Sequence, residues 1–156
     1  DKKHVAPGHE IVEMGLVNLV EYEMGLLKKT GNFETHLSIE GESYKLEKQK
    51  ELILFRIVQE VIHNIIKHAK ATIVDVQIIF DPKLFSLIIT DNGLGFDARQ
   101  LENESYTGFG LGIRNMKTRA KVMNIHFKLL SSIGKGTNII ITLPVANPVL
   151  MSDLCF

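Results

Sequence analysis

Apolar residues recur along the chain with two different periods, which predict helices and strands in a mixed order. From Ile11 to Leu27 they return every three or four residues, which predicts an amphipathic helix that ends near Gly31. Helical patterns also run from about Glu47 to Ala69, without Gly or Pro, and from Leu111 to Asn124. Stretches rich in β-branched or alternating apolar residues predict five strands: Phe33 to Ile39, Ile73 to Phe80, Leu84 to Thr90, Ile125 to Leu130 and Asn138 to Leu143.

The order of these elements predicts the fold class. The turn residues Asp81, Pro82 and Lys83 join two strands into an antiparallel hairpin, and a turn with two glycines precedes the last strand. Helices that alternate with hairpins predict an α+β protein, a two-layer α/β sandwich with helices on one face of a mixed, mostly antiparallel sheet. The stretch from Asp97 to Thr107 lacks periodicity and predicts a mobile lid, and we expect a frayed tail after Pro148.

Composition favours one globular unit and excludes several classes of protein. The chain has 156 residues, 45% of them hydrophobic, with 18 Lys and Arg against 18 Asp and Glu. No bulk field therefore favours nucleic acid or anionic lipid, and no apolar run approaches the ~20 residues of a membrane helix. We expect a soluble, cytoplasmic segment without direct membrane contact. The start at Asp1 predicts a piece of a longer protein, which can carry an inner-membrane anchor elsewhere, and the single Cys155 excludes an internal disulfide framework.

The first of three stretches with candidate chemistry lies on the second predicted helix. Helical spacing gathers five polar residues within an arc of ~140°: Glu60, His63, Asn64, Lys67 and His68. Such a stripe is most often an ordinary solvated face. Alternatively, Glu60 and Asn64 offer the oxygen ligands that Mg²⁺ prefers, and Lys67 offers a charge to a phosphate.

The second stretch, Asp91 to Phe96, follows a predicted strand. The Asp91 carboxylate can accept a hydrogen bond from the exocyclic amine of adenine. Gly93 and Gly95 leave room for a flat base or permit positive φ. Taken alone, this stretch is more often a plain turn.

The third stretch spaces glycines Gly108, Gly110 and Gly112 before the last predicted helix. Free N–H groups and the helix dipole favour an anion there, although a flexible hinge has the same pattern. Neither a Walker A motif nor a dinucleotide fingerprint is present. A nucleotide would therefore be held in some other way.

In combination, the three stretches resemble the motifs of the ATP-binding catalytic domain of bacterial sensor histidine kinases. That family belongs to a superfamily shared with gyrase, mismatch-repair and heat-shock chaperone ATPases. The likeness covers about Leu46 to Pro144 and includes the late sequence Gly134-Lys135-Gly136-Thr137. The sequence Lys67-His68-Ala69 is similar to the subgroup that includes nitrate and membrane-fluidity sensors.

The resemblance implies a Bergerat-type sandwich that binds ATP and Mg²⁺ beneath a lid. It implies that Asn64 ligates Mg²⁺, that Lys67 and His68 approach the phosphates, and that Asp91 and Thr137 lie at the adenine. Glu60 would position Mg²⁺ or water, or act as a base. The third stretch would cradle the phosphate chain with Gly108, Gly110, Leu111 and Gly112. Gly93 and Gly95 of the second stretch would leave room for the base.

The resemblance also implies a kinase that passes the γ-phosphoryl group to a histidine, for onward transfer to a response regulator. His9 precedes Glu10, as the family's acceptor precedes an acid, but the N-terminal segment is too short for the two-helix dimerisation bundle that carries it. We therefore expect a connecting helix in 1–32, an ATP-binding domain in 33–146, a tail in 147–156, and little autokinase activity alone. The alternatives are a nucleotide-responsive interaction module, anti-sigma-like or degenerate, and a hydrolysing ATPase.

Overall fold

The structure is a computed structural model that describes residues 15–30, 32–105 and 110–154. Within these residues, three α-helices span Leu16–Lys29 (α1), Lys48–Asn64 (α2) and Leu111–Val122 (α3). The five strands are Glu34–Glu40 (β1), Ile73–Phe80 (β2), Leu84–Asp91 (β3), His126–Ser131 (β4) and Thr137–Pro144 (β5). Short turns of other helix types span Ile65–Ala69, Ala98–Glu102 and Met151–Asp153. Every strand predicted from the sequence is present, with ends shifted by at most one residue.

The strands form one sheet in the order β1-β2-β3-β5-β4. The β2–β3 and β4–β5 hairpins are antiparallel, as is the central β3–β5 pair, whereas β1 runs parallel to β2. A parallel pair needs a long crossover, and the chain from β1 to β2 supplies one that contains α2. The predicted mixed, mostly antiparallel sheet is therefore confirmed.

The hydrophobic core lies between one face of the sheet and the helices. Along β2, β3 and β5 every second side chain is buried, as at Val76, Leu87 and Ile141, while the intervening side chains are mostly half-buried. The helices contribute apolar faces to the same core, including Leu27 from α1 and Leu54 from α2. This arrangement confirms the two-layer α+β sandwich. Because α1 packs into this core, it is an integral part of the packed unit, whatever segment precedes it.

The end of the second helix differs from the prediction. The α-helix ends at Asn64, and the chain continues through one π-helical turn, Ile65–Ala69, to Lys70 in the left-handed conformation with φ 52°. A π-helix advances less than 100° per residue because its hydrogen bonds close over five residues. Lys67 and His68 therefore do not continue the α-helical arc on which Glu60 and Asn64 lie.

Two other expectations concern the lid and the tail. The aperiodic stretch contains a 3₁₀ turn, Ala98–Glu102, and residues 106–109, including Gly108, lie outside the described part of the chain. The expectation of a frayed tail is wrong as far as Leu154. Leu150 forms a β-bridge with Tyr44, and the Met151 N–H donates to the Ser43 carbonyl at 2.8 Å, so backbone hydrogen bonds hold this segment on the body of the domain.

Candidate nucleotide site

The end of β3 carries a buried carboxylate. Asp91 is 7% exposed, and its Oδ1 accepts a hydrogen bond from the Gly93 N–H at 2.7 Å. Burial raises the pKa of Asp91, and the Gly93 hydrogen bond partly opposes that shift. Among the residues that the structure describes, the second oxygen, Oδ2, has no hydrogen-bond partner. The position therefore holds an acceptor with capacity left for a ligand.

The residues after Asp91 are held on both sides. Asn92 accepts hydrogen bonds from the backbone N–H groups of Thr72 and Ile73 at 2.8 and 2.9 Å, which ties the segment to the start of β2. On the other side, Gly95 adopts φ 64°, and a β-carbon there would lie 2.2 Å from the Ser132 carbonyl oxygen. Only glycine fits this close approach. The sequence predicted a special role for Gly95, and the structural reason is contact with the β4–β5 turn.

Three polar side chains form a row across the end of the sheet. In the antiparallel register Asp91 lies opposite Thr137, and Thr137 lies opposite Ser131. Directly opposite residues on neighbouring strands point to the same face, so the three side chains are neighbours. The Ser131 and Thr137 hydroxyl oxygens are 2.9 Å apart. Asp91 and Thr137 were predicted from the sequence and Ser131 was not, although this serine opens the turn before the last strand.

A cavity of about 240 Å³ lies between this end of the sheet and the end of α2. Five of the predicted site residues line it: Asn64, His68, Asp91, Gly95 and Thr137. The remaining lining is mostly apolar and was not predicted: Val61, Ile65, Leu94, Phe96, Ile113 and Ile139. These walls suit a flat, weakly polar ring, and the few polar groups among them fix its orientation.

Asn64 lies at the wall of this cavity in an unusual state. It is 9% exposed, and its Nδ2 atom is buried without a hydrogen-bond partner among the described residues. Buried amide groups are nearly always paired, so an unpaired one at a cavity wall indicates a missing partner. A flip of the side-chain amide by about 180° exchanges its oxygen and nitrogen, so either atom can face a ligand.

The remaining predicted residues lie around the cavity without lining it. Glu60 is half-buried and contacts the start of α3: a β-carbon on Gly112 would lie 2.5 Å from its Oε2 atom. Gly110 is the N-cap of α3 with φ 96°, and Leu111 is the first residue of the helix. Lys67 is exposed on the π turn, and Gly93 acts through its N–H on Asp91. Gly108 lies outside the described residues.

The segment before α3 is anchored to that helix by one arginine. Arg114 Nη1 donates to the carbonyl oxygens of Leu101 at 3.3 Å and Asn103 at 3.0 Å. Arg114 was not predicted from the sequence, because its side chain contacts backbone carbonyls of a separate segment and no side-chain pattern marks them. It holds one end of the predicted lid beside the N-terminus of α3.

Comparison with known proteins identifies the architecture. Residues 49–147 match the family described as histidine kinase-, DNA gyrase B- and HSP90-like ATPases. The chain belongs to this family. It is 33% identical to the signal transduction histidine-protein kinase/phosphatase DegS of Brevibacillus brevis over 134 residues, 85% of this chain and 33% of that protein. Against DegS of Bacillus subtilis it is 31% identical over 137 residues, 86% of this chain and 35% of that protein.

These relatives confirm the resemblance to the ATP-binding domain of histidine kinases, whereas the narrower subgroup stays a prediction. The chain spans about a third of the length of these curated relatives. A solved structure of the mycobacterial sensor histidine kinase MprB shares the fold, with a TM-score of 0.62 at 20% identity over 86% of this chain and 96% of that one. In the described part of the chain, no helix combines the length and apolarity that crossing a membrane requires.

Proposed function

We propose that the domain binds Mg-ATP in this cavity and donates the γ-phosphoryl group to a histidine on dimerisation helices outside this segment. The observation that carries the proposal is Asp91, a buried carboxylate with an unsatisfied oxygen at a cavity wall. This oxygen has lone pairs left to accept a hydrogen bond, and the exocyclic amine of adenine would donate one. Family membership and kinase relatives support the same assignment.

The adenine ring fits the apolar part of the cavity. Val61 of α2, Ile65 of the π turn and Ile139 of β5 all line the cavity. Apolar walls stabilise a flat ring by removing its faces from water. Under this proposal, Asp91 and Thr137 read the edge of the base, and the phosphates extend towards α3.

The residues at the other end fit a metal–phosphate group. Mg²⁺ usually takes one or two protein oxygen ligands and completes its octahedron with phosphate oxygens and water. Asn64 would hold the ion through its amide oxygen together with Glu60, directly or through water, and the unpaired Nδ2 would be free to donate to a phosphate oxygen. The bound ion would neutralise charge on the phosphates. His68 and Lys67 would supply further positive charge or hydrogen bonds, with Gly108, Gly110, Leu111 and Gly112 around the phosphate chain.

In the phosphoryl transfer, no residue of this domain needs to form a covalent bond to the substrate. The acceptor imidazole nitrogen forms a bond to the γ-phosphorus while the bond to the β–γ bridging oxygen breaks, and ADP leaves. The domain contributes orientation and electrostatic stabilisation, and Glu60 is the candidate to assist the acceptor imidazole as a base. The phosphohistidine would then supply a response regulator.

Calorimetric titration of this chain with a non-hydrolysable ATP analogue and Mg²⁺ tests the binding step. We expect Asp91→Asn to weaken binding roughly 10- to 100-fold, because it keeps an oxygen for Gly93 but turns an amide donor towards the base amine. The matched control is Asp75→Asn, which makes the same chemical change at an exposed position on β2. Absence of heat with the unsubstituted chain, or equal weakening by both variants, would refute the proposal.

A longer version of the chain that includes the upstream helices of its parent tests the transfer step. Incubated with ATP labelled at the γ-position, it should form an acid-labile phosphohistidine, whereas this chain alone should show little labelling. Binding without any phosphohistidine would instead identify a nucleotide-responsive interaction module. Release of inorganic phosphate without a phosphorylated intermediate would identify a hydrolysing ATPase.

A further inference from the structure

Ser131 joins three separate parts of the base end of the site. Its Oγ accepts a hydrogen bond from the Phe96 N–H at 2.9 Å and donates to the Gly136 carbonyl at 3.0 Å. The same atom lies 2.9 Å from the Thr137 hydroxyl oxygen. Phe96 and Thr137 both line the cavity, whereas Ser131 does not. The serine therefore contacts the site only through its neighbours.

Counting hydrogens fixes the direction of the bond between the two hydroxyl groups. A serine hydroxyl has one hydrogen to donate and two lone pairs to accept with. The Gly136 carbonyl takes the hydrogen of Ser131, and the Phe96 N–H occupies one lone pair. The contact with Thr137 is then satisfied only if Thr137 is the donor. The reverse direction would leave the carbonyl of buried Gly136 without this donor, which is unfavourable.

The direction of this bond determines what Thr137 can offer to a ligand. With its hydrogen committed to Ser131, the Thr137 hydroxyl faces the cavity with lone pairs only. Asp91, directly opposite Thr137 in the β3–β5 register, also presents an acceptor. The two groups that approach a base edge at this end of the cavity are thus both acceptors. An exocyclic amine can donate hydrogen bonds to them. A carbonyl oxygen at the same place would face the lone pairs of both groups and would be repelled.

We propose that Ser131 is a positioning residue that fixes the Thr137 hydroxyl as an acceptor and thereby selects 6-amino over 6-oxo purine nucleotides. The inference rests on the proposed nucleotide function and goes beyond it, because it assigns base selectivity to a residue that does not touch the base. In Ser131→Ala, Thr137 is free to rotate and donate to a 6-oxo group. The free-energy penalty for binding hypoxanthine, the 6-oxo base of IDP, then falls.

The test is the ratio of the dissociation constants of ADP and IDP, measured by calorimetry with Mg²⁺. We expect Ser131→Ala to reduce the preference for ADP roughly 3- to 10-fold, which corresponds to the net worth of about one hydrogen bond. Ser131→Thr keeps the hydroxyl and should keep the preference. The control Ser132→Ala alters the adjacent, exposed serine and should also keep it. A general loosening of the fold would weaken both ligands without changing their ratio.

A second pair of variants decides whether Ser131 acts through Thr137. Thr137→Val removes the acceptor and should itself lower the preference for ADP, and adding Ser131→Ala to it should change nothing more. An unchanged preference in either single variant, or an equal further loss in the double variant, would overturn the inference. If Ser131→Ala does not fold, Ser131→Thr and Thr137→Val remain: an unchanged preference in Thr137→Val would still overturn the inference. Failure of the unsubstituted chain to bind either diphosphate would refute the proposed function itself.

Discussion

Asn64 is a residue whose burial weakens the domain that contains it. Its Nδ2 atom has no partner among the described residues, and the residue is only 9% exposed, so water cannot easily take the partner's place. An unpaired buried amide costs about 1–3 kcal/mol. The structure tolerates this cost at the wall of the cavity, where a ligand can satisfy the amide. At such a residue, the same side chain lowers the stability of the ligand-free domain and favours the binding of a ligand.

Replacement of Asn64 by leucine should therefore stabilise the ligand-free domain while it weakens Mg-nucleotide binding. We expect Asn64→Leu to raise the free energy of unfolding by about 1 kcal/mol, because it removes the unpaired amide at similar volume. Urea denaturation with and without Mg²⁺ and nucleotide measures both effects.

The matched comparison for that variant is Asn92→Leu. The Asn92 side chain accepts from Thr72 and Ile73 N–H groups and donates to the Thr72 hydroxyl, so its loss should destabilise the domain. If both leucine variants shift stability in the same direction, the asparagine at the cavity is not strained by burial.

At the scale of elements, the contact between α2 and α3 depends on one glycine. The Glu60 carboxylate occupies the space that a side chain on Gly112 would take. The glycine that the sequence predicted as part of a phosphate cradle thus also gives room to the predicted catalytic acid. Glu60 is flexible at its far end, so a small side chain on α3 would displace its carboxylate rather than break the packing.

Gly112→Ala should therefore separate stability from activity. Alanine favours a helix over glycine by up to about 1 kcal/mol, which offsets the displacement of Glu60, so the midpoint of thermal unfolding should change little. Phosphohistidine formation in the longer protein should fall at least tenfold if Glu60 assists transfer. The control is Gly25→Ala, since Gly25 is an exposed glycine of α1 whose β-carbon would meet nothing within 4 Å. Equal activity in the two variants would argue against a role for the Glu60 position.

The pattern of apolar residues predicted the central strands because their side chains alternate between buried and more exposed positions, as Val76 and Gln77 illustrate. It did not predict the π turn at Ile65–Ala69, because the helix types differ by one residue per hydrogen-bonded ring and have similar apolar patterns over five residues. The apolar residues that line the cavity could not be predicted from the sequence either. Val61 and Ile65 follow the same spacing as core residues, and only the packed structure shows which apolar side chains border an empty space.

For the whole molecule, buried carboxyl groups set the sign of the pH dependence. Burial raises the pKa of Glu23 in α1, and it is also the main cause of the raised pKa values of Glu51 and Asp91. The folded state then binds the proton more tightly than the unfolded chain. The resulting stabilisation is complete below the ordinary pKa values and is lost as the pH rises through the raised ones. Hydrogen bonds from the side chain and backbone N–H of Arg99 lower the pKa of half-buried Asp97, which acts in the opposite direction.

Glu23→Gln should consequently stabilise the domain at neutral pH, because glutamine has no charge to desolvate. The advantage should disappear as the pH falls below 4.5, the ordinary pKa of the glutamate. Denaturation curves at pH 4 and pH 7 measure the difference. Glu21→Gln, at an exposed position on the same helix, is the control. A pH-independent effect of Glu23→Gln would show that packing, and not charge, is responsible.

The parallel pairing of β1 with β2 has a consequence for the order in which the sheet forms. The β2–β3 and β4–β5 hairpins join strands that are neighbours in sequence, whereas the chain must pass through the whole of α2 before β1 meets its partner. Closing that long connection costs chain entropy before any ladder bond forms. During refolding in heavy water, amide protons of β1 should gain protection after those of the two hairpins. In the folded protein, this edge should open most often, and its first residues lie two strands from the end of β3 that carries Asp91.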